Sequence, residues 1–354
     1  MTLQTIADRV GVSRMTVSNA FSRPDQLSPT LRDRILAVAD ELGYVGPDPA
    51  ARALARGTTG AVGILLTDSL SQAFGDEVAT TFLGAIADEL APTGLGLTLL
   101  TTNQAGSVIP ARDVAMDGAL VYSCDPENTG VEWLVRRKIP LVFIDQTPAE
   151  GIPAVNVDDR AGARAAAQHV VDLGHRRVAV VTSGVRGRHG LIGPDNTGDI
   201  IDGYVAAQRL SGWLDALTPA GISPAIAREP HGDPDSGYRA ARRLLDAPNP
   251  PTAIVCFSDA LAQGVMGAAV DAGLSVPDDL SVVGFDDSPA AARMRPPLTT
   301  VRQDILAKGH AAAAALTQAI EAARVGEPPA AEHLRLPADL IVRASTAVPP
   351  TAGG

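Results

Sequence analysis

The chain has 354 residues and 45% hydrophobic content, enough to bury a sizeable core and to hold two or three domains. Its net charge of −11 argues against non-specific nucleic-acid binding by the whole molecule, yet residues 1–56 hold seven arginines against six acids, so the acidity lies in the remainder. No apolar run is as long as a bilayer span and no charged-then-apolar leader opens the chain, so a cytoplasmic protein is expected. Cys124 and Cys256 lack CxxC spacing and read as small residues in or beside apolar strands.

The first elements are helical. Thr2 is placed to cap a short helix over Leu3–Val10, with Ile6, Ala7 and Val10 on its inner face. Gly11 and Val12 leave a tight turn before Ser13, a natural N-cap for a second helix running to Phe21. On that helix Val17, Ala20 and Phe21 form one stripe, and Arg14, Met15, Ser18 and Asn19 the opposite one. Two short helices joined by a glycine-containing turn make a helix-turn-helix unit, whose second helix enters the DNA major groove. A helical hairpin in any small core has the same pattern, so the rest of the chain must decide between them.

Ser28 and Pro29 read as N-cap and first residue of a third helix carrying Leu31, Ile35, Val38, Ala39 and Leu42, closed by Gly43. Gly46-Pro-Asp-Pro then breaks the helical pattern. Asp48 can cap, and Pro49 open, a short helix through Ala50–Ala55 that stops at Gly57. A helix of this length is marginal in water unless something holds it.

From Gly60 onward, strands and helices alternate. Strands are expected at Ala61–Leu66, Leu95–Leu100, Gly118–Tyr122, Pro140–Ile144, Ala154–Val157, Arg177–Thr182, Ala253–Phe257 and Leu280–Gly284. Helices are expected at Phe82–Leu90, Gly130–Arg137 and Ala161–Leu173, and near 205–217, 236–246 and 259–272. Val/Ile/Leu strands between helices indicate parallel sheets covered on both faces, and some 280 residues of this pattern imply two lobes. Ligands of such folds sit at the C-terminal ends of the strands, here between the lobes.

With these motifs in place the chain resembles the lactose-repressor/galactose-repressor (LacI/GalR) family over nearly its whole length. The similarity rests on Thr2 to Phe21, Leu42-Gly-Tyr, Ala50-Ala-Arg-Ala-Leu-Ala, Leu173-Gly-His-Arg-Arg-Val-Ala, Arg209-Leu-Ser-Gly-Trp, Ser258-Asp-Ala-Leu-Ala-Gln-Gly, Val276 to Asp287 and Pro296 to Gln303. It implies an all-α helix-turn-helix headpiece (1–46), a linker with a hinge helix (47–59), a two-lobed periplasmic-binding-protein-like α/β domain with parallel sheets (60–345), and a flexible tail (346–354). It also implies roles for particular residues. Arg14, Met15 and Asn19 match base-reading positions, where Arg suits guanine, Asn suits adenine and Met offers apolar contact. Thr2, Ser13, Thr16 and Ser18 match phosphate-contacting positions. Leu54 matches a residue wedged into the minor groove at the operator centre. The family usually has one residue fewer between Tyr44 and this leucine, and Gly46–Pro49 carries the extra one, so the hinge helix starts at Pro49 or a neighbour. In the cleft, Arg209 and Asp286 match effector-binding positions. Asp68, Ser69, Asp145, Ser258 and Asp259 lie at strand ends, where helix capping or lobe-spanning hydrogen bonds compete with ligand contact. Trp213 and Phe257 are the candidate stacking platforms, and Gly184–Gly198 is expected to be a flexible loop near the cleft mouth.

Two other readings meet obstacles. An enzyme lacks support: the glycines of Gly184-Val-Arg-Gly-Arg-His-Gly are not in dinucleotide-binding spacing, and no P-loop, GxSxG, HExxH or Cys/His cluster occurs. A transport solute-binding protein would need an export signal and no headpiece. The expectation is therefore a transcriptional regulator with no cofactor or metal. Its partners are expected to be double-stranded operator DNA, a small sugar-like effector and a second copy of itself. Without a leucine heptad at the tail, a homodimer is expected.

Overall fold

The structure, a computed structural model, describes residues 2–46, 48–66, 70–102, 108–123, 128–184, 187–193 and 203–350. It divides into two compact units, Met1–Gly60 and Ala61–Gly354.

The first unit contains α1 (Leu3–Val10), α2 (Arg14–Ser22), α3 (Pro29–Glu41) and α4 (Pro49–Arg56). Side-chain caps set the first three starts: Thr2, Ser13 and Ser28 accept from the backbone N–H groups of Thr5, Thr16 and Leu31. Gly11 ends α1 at φ +77°, a left-handed conformation that costs glycine nothing, and so permits the tight turn into α2. Ile6, Ala7, Val10, Val17, Ala20, Ile35 and Ala39 form the core of this unit. Phe21 packs edge-on against Tyr44, and the Arg34 guanidinium donates to the carbonyl of Val10 at 2.9 Å. The α4 helix begins with Arg52 N–H donating to the Asp48 carbonyl and ends at Gly57, in agreement with the expected punctuation.

The second unit carries two lobes. The first has β1 (Ala61–Leu66), α5 (Leu70–Gly75), α6 (Glu77–Leu90), β2 (Gly96–Thr101), α7 (Pro110–Asp113), β3 (Gly118–Tyr122), α8 (Thr129–Arg136), β4 (Leu141–Ile144) and β5 (Ala154–Val157). The chain then crosses over to form α9 (Asp159–Asp172), β6 (Val178–Ser183), β7 (Gly190–Ile192), α10 (Tyr204–Leu217), β8 (Ala225–Glu229), α11 (Pro234–Leu245), β9 (Ala253–Cys256), α12 (Asp259–Asp271), β10 (Ser281–Asp286) and β11 (Thr299–Gln303). It returns to the first lobe for α13 (Ile305–Val325) and β12 (His333–Leu336), and crosses a third time into β13 (Ala338–Ile341). Strand order is β12-β5-β4-β3-β1-β2 in one sheet and β13-β11-β10-β9-β6-β8-β7 in the other.

Each sheet is covered on both faces. In the first lobe α6 and α13 pack on one side and α8 on the other. In the second, α9 and α10 oppose α11 and α12. The inner strands β1, β3, β4, β6, β9 and β10 are accordingly buried and mostly apolar, as parallel sheets covered on both faces require.

Two expectations need correction. Gly190–Ile192, inside the stretch expected to be a loop, pairs antiparallel with β8, because Ile192 finds a place in the core beneath α10. Both edges of the second sheet are therefore antiparallel, β13 on β11 being the other. Thr346 and Ala347, expected in a flexible tail, are fastened to the second lobe. Ala347 N–H donates to Ser281 Oγ at 3.0 Å, and its carbonyl lies 2.9 Å from the buried His175 ring. The Cys124 expectation lies outside the described residues; Cys256 is buried on β9, where burial pushes its thiol pKa well up.

Candidate functional site

On the headpiece, α2 turns its apolar stripe into the core and leaves the opposite face in solvent. Val17 and Ala20 are buried, whereas Arg14 is exposed and Met15 is 68% exposed. Asn19 donates from Nδ2 to Gln26 Oε1 at 3.2 Å, which holds its amide at the helix surface. Ser13 and Thr16 bond to one another at 2.8 Å at the start of α2, where the Thr16 N–H also donates to Ser13 Oγ. Thr2 has the equivalent place on α1, and Ser18 lies half-buried with its carbonyl accepting from Ser22 Oγ. Leu54 on α4 is 88% exposed, a large apolar side chain outside the core cluster of its unit.

In the body, the C-terminal ends of strands from both lobes bring charged groups together. Arg209 on α10 donates from Nε to Asp159 Oδ1 at 2.8 Å and from Nη1 to the Phe257 carbonyl, and its Nη2 is 3.5 Å from Asp286 Oδ1. Its guanidinium lies between two rings, 4.6 Å from the centroid of Phe257 and 3.5 Å from that of Phe285. Asp286 closes β10 at φ +111°, and Asp145 follows β4 at φ +53°. Backbone conformations of this kind persist where the surroundings hold them, and they cluster at functional positions.

The network continues across the lobes. Gln303, at the end of β11, donates to Asp286 Oδ1 at 2.6 Å and accepts from Lys308 Nζ at 3.0 Å. Lys308, on α13 of the first lobe, donates to Asp145 Oδ2 at 2.7 Å and faces the stacked rings of Phe82 and Tyr122. Asp145, Lys308, Gln303, Asp286, Arg209 and Asp159 thus form one continuous chain from lobe to lobe. Two carboxylate oxygens in it, Asp145 Oδ1 and Asp159 Oδ2, are buried without a hydrogen-bond donor among the described residues.

Burial shifts these groups. Desolvation pushes the Asp286 carboxyl up to about 8, with Arg209 pulling against it, and raises Asp159 above the usual carboxylate range despite the same arginine. Asp259 is pushed up to about 6 by burial, while hydrogen bonds from Thr300 and Ser288 hold it down.

The remaining expected positions divide. Ser258 is the N-cap of α12, accepting from Leu261 N–H at 3.2 Å, so capping is its observed role. Asp259 accepts from Thr300 Oγ1 at 2.5 Å and from Ser288 N–H at 2.7 Å, ties within one lobe. A side chain at Gly284 would collide with its carboxylate. Trp213 is a correction: at 1% exposure it fills the core between α10 and the sheet, so it is no stacking platform. Phe257 does border the charged chain, through its ring and carbonyl. Asp68 and Ser69 lie outside the described residues.

Sequence reasoning missed Asp159, Gln303 and Lys308. A signal existed for the last: the chain holds only two lysines among its 29 basic residues, and Lys308 stands just before an alanine-rich run.

A helix-turn-helix head joined to a two-lobed body with ligand-type groups at the strand ends defines a DNA-binding regulator with a sensory domain. The chain belongs to the lacI family of bacterial regulatory proteins. The family model of that description matches residues 2–46, and that of a periplasmic binding protein-like domain matches residues 167–346. The chain is 36% identical over 327 residues to the HTH-type transcriptional regulator Rv3575c of Mycobacterium tuberculosis, covering 88% of this chain and 89% of that protein. Among solved structures, the Lac repressor dimer bound to operator and the anti-inducer ONPF superposes with a TM-score of 0.78 at 25% identity, covering 98% of this chain and 99% of that one. The transcriptional regulator CelR–cellobiose complex gives 0.68 at 27% identity, with coverage of 98% and 99%. With relatives named as transcriptional regulators, the chain is a DNA-binding regulator and not an enzyme.

Proposed function

We propose that the protein is a repressor that binds an inverted-repeat operator as a homodimer and changes its grip when a small sugar-like metabolite occupies the cleft between its lobes. The observation that carries this reading is the solvent-facing stripe of α2, with Arg14 and Met15 exposed on a helix whose core face is complete without them. Arg14 and Asn19 supply hydrogen bonds to base edges, and Thr2, Ser13, Thr16 and Ser18 fix register on phosphates. Residues 47–59 act as the linker, in which α4 is ordered by DNA and Leu54 enters the minor groove.

In the body, Arg209, Asp286 and Asp145 receive the effector, with Phe257 beside them; Asp159, Gln303 and Lys308 join that set. The related CelR–cellobiose complex supports a sugar as ligand, and the related Lac repressor dimer on its operator supports the dimer. Operator DNA places the protein in the cytoplasm; no helix among the described residues is long and apolar enough to cross a membrane. Selection from a random duplex pool tests the reading. Inverted repeats with guanine and adenine at symmetric positions should be enriched, and a pool without symmetric sequences would overturn it.

A further inference from the structure

Among the described residues, the lobe-to-lobe network holds two cations, Arg209 and Lys308, and both are already engaged by the protein. Arg209 is bound by Asp159, Asp286 and the Phe257 carbonyl. Lys308, 1% exposed, is bound by Asp145 and Gln303, with the rings of Phe82 and Tyr122 closing its other side. Against these two stand the buried carboxyls of Asp145, Asp159, Asp259 and Asp286, so the acids outnumber the bases. An incoming anion would meet no unengaged base among these groups. What the network leaves unsatisfied is acceptors: Asp145 Oδ1 on the first lobe and Asp159 Oδ2 on the second are buried with no donor among the described residues. A buried carboxylate oxygen without a donor carries a large desolvation penalty, which a ligand hydroxyl would relieve.

From this we infer that Lys308 sets the charge class of the effector: by holding Asp145 Oδ2 and Gln303 it leaves one open carboxylate oxygen on each lobe, and the cleft selects a neutral, hydroxyl-rich ligand over sugar acids and sugar phosphates. Such a ligand donates to Asp145 at one end and to Asp159 at the other, and so links the lobes. Lys308 is a positioning residue here, since it acts on the ligand through Asp145. The inference rests on the cleft being the effector site.

The test is a thermal-shift and calorimetric titration of the purified full chain with matched neutral sugars, hexuronates and hexose 6-phosphates. Neutral sugars should stabilise the wild type, and the charged analogues should bind roughly tenfold or more weakly, the loss of one charge-assisted hydrogen bond. In Asp145→Asn the Lys308 ammonium loses its counter-ion, so the preference should turn toward hexuronates. In Lys308→Met, which removes the cation, no such gain should appear. A wild type stabilised by hexuronates or phosphates and not by neutral sugars overturns this inference while leaving the effector cleft intact. A wild type whose melting is unmoved by every compound overturns both. Loss of folding in either variant leaves the wild-type comparison to decide.

Discussion

Arg209 and Asp159 form a buried ion pair at 2.8 Å, both side chains almost wholly out of solvent. Breaking one partner of such a pair costs more than the pair itself contributes, because the other charge stays buried. Arg209→Met should therefore lower the stability of the body by about 3–5 kcal/mol, seen as a fall in its melting temperature, as well as abolish the effector response. Adding Asp159→Asn should recover part of the lost stability without restoring that response. A single variant as stable as the parent would contradict the pairing.

Asp286 and Asp259 give the body a pH signature. Their folded pKa values, pushed up to about 8 and about 6 by burial, lie above the ordinary carboxylate value of about 4, so the folded state keeps these protons longer than the unfolded chain. The stability they contribute is fully present below that ordinary value and is lost as pH rises through 6 and then 8. His169 and His175, lowered by burial, act in the opposite sense as pH falls below their usual value near 6.5. Comparison with Asp286→Asn isolates the carboxyl: the wild type should lose more stability than the variant between pH 6 and about 9. Parallel melting curves across that interval would remove the shifted aspartate.

Arg14 and Asn19 lie on the outward stripe of α2, and their substitution should relax sequence choice rather than unfold the head. Replacing either with Ala should cost about 1–3 kcal/mol against the preferred base and little against other bases. Ser13→Ala, by contrast, should weaken binding uniformly across sequences and destabilise α2 by about 1 kcal/mol through the lost cap. Competition titrations with single-base operator variants separate the two patterns.

Leu54 is exposed on a helix too short to persist alone. Leu54→Ala should weaken operator binding while leaving the melting of the body and its ligand affinity unchanged. Equal operator affinity in the variant would remove the minor-groove wedge.

The headpiece was legible from local chemistry. Thr2, Ser13 and Ser28 cap their helices, and Gly11 and Gly57 stop theirs, each through neighbours a few residues away. The strand–helix alternation showed equally well, since buried strands are written as continuous apolar runs. What sequence could not show was long-range: Lys308 meets Asp145 across 163 positions, and Arg209 meets Asp159 across 50. The α13 helix escaped notice because its alanine-rich run carries no strong amphipathic stripe, and Trp213 was misplaced because an aromatic residue near a binding arginine reads equally well as core. Asp259 and Ser258 show the same ambiguity resolved toward structure, since a strand-end acid or hydroxyl serves a helix N-terminus as readily as a ligand.

The central claim is that the two-lobed body governs the grip of the head, and operator affinity measured with and without the stabilising metabolite tests it most directly. On a selected inverted repeat the protein should bind at least about a thousandfold tighter than on random duplex. Saturating metabolite should change that affinity by roughly 5- to 150-fold. Equal affinity for repeat and random duplex, or a metabolite that stabilises the body and leaves operator binding untouched, would contradict the account.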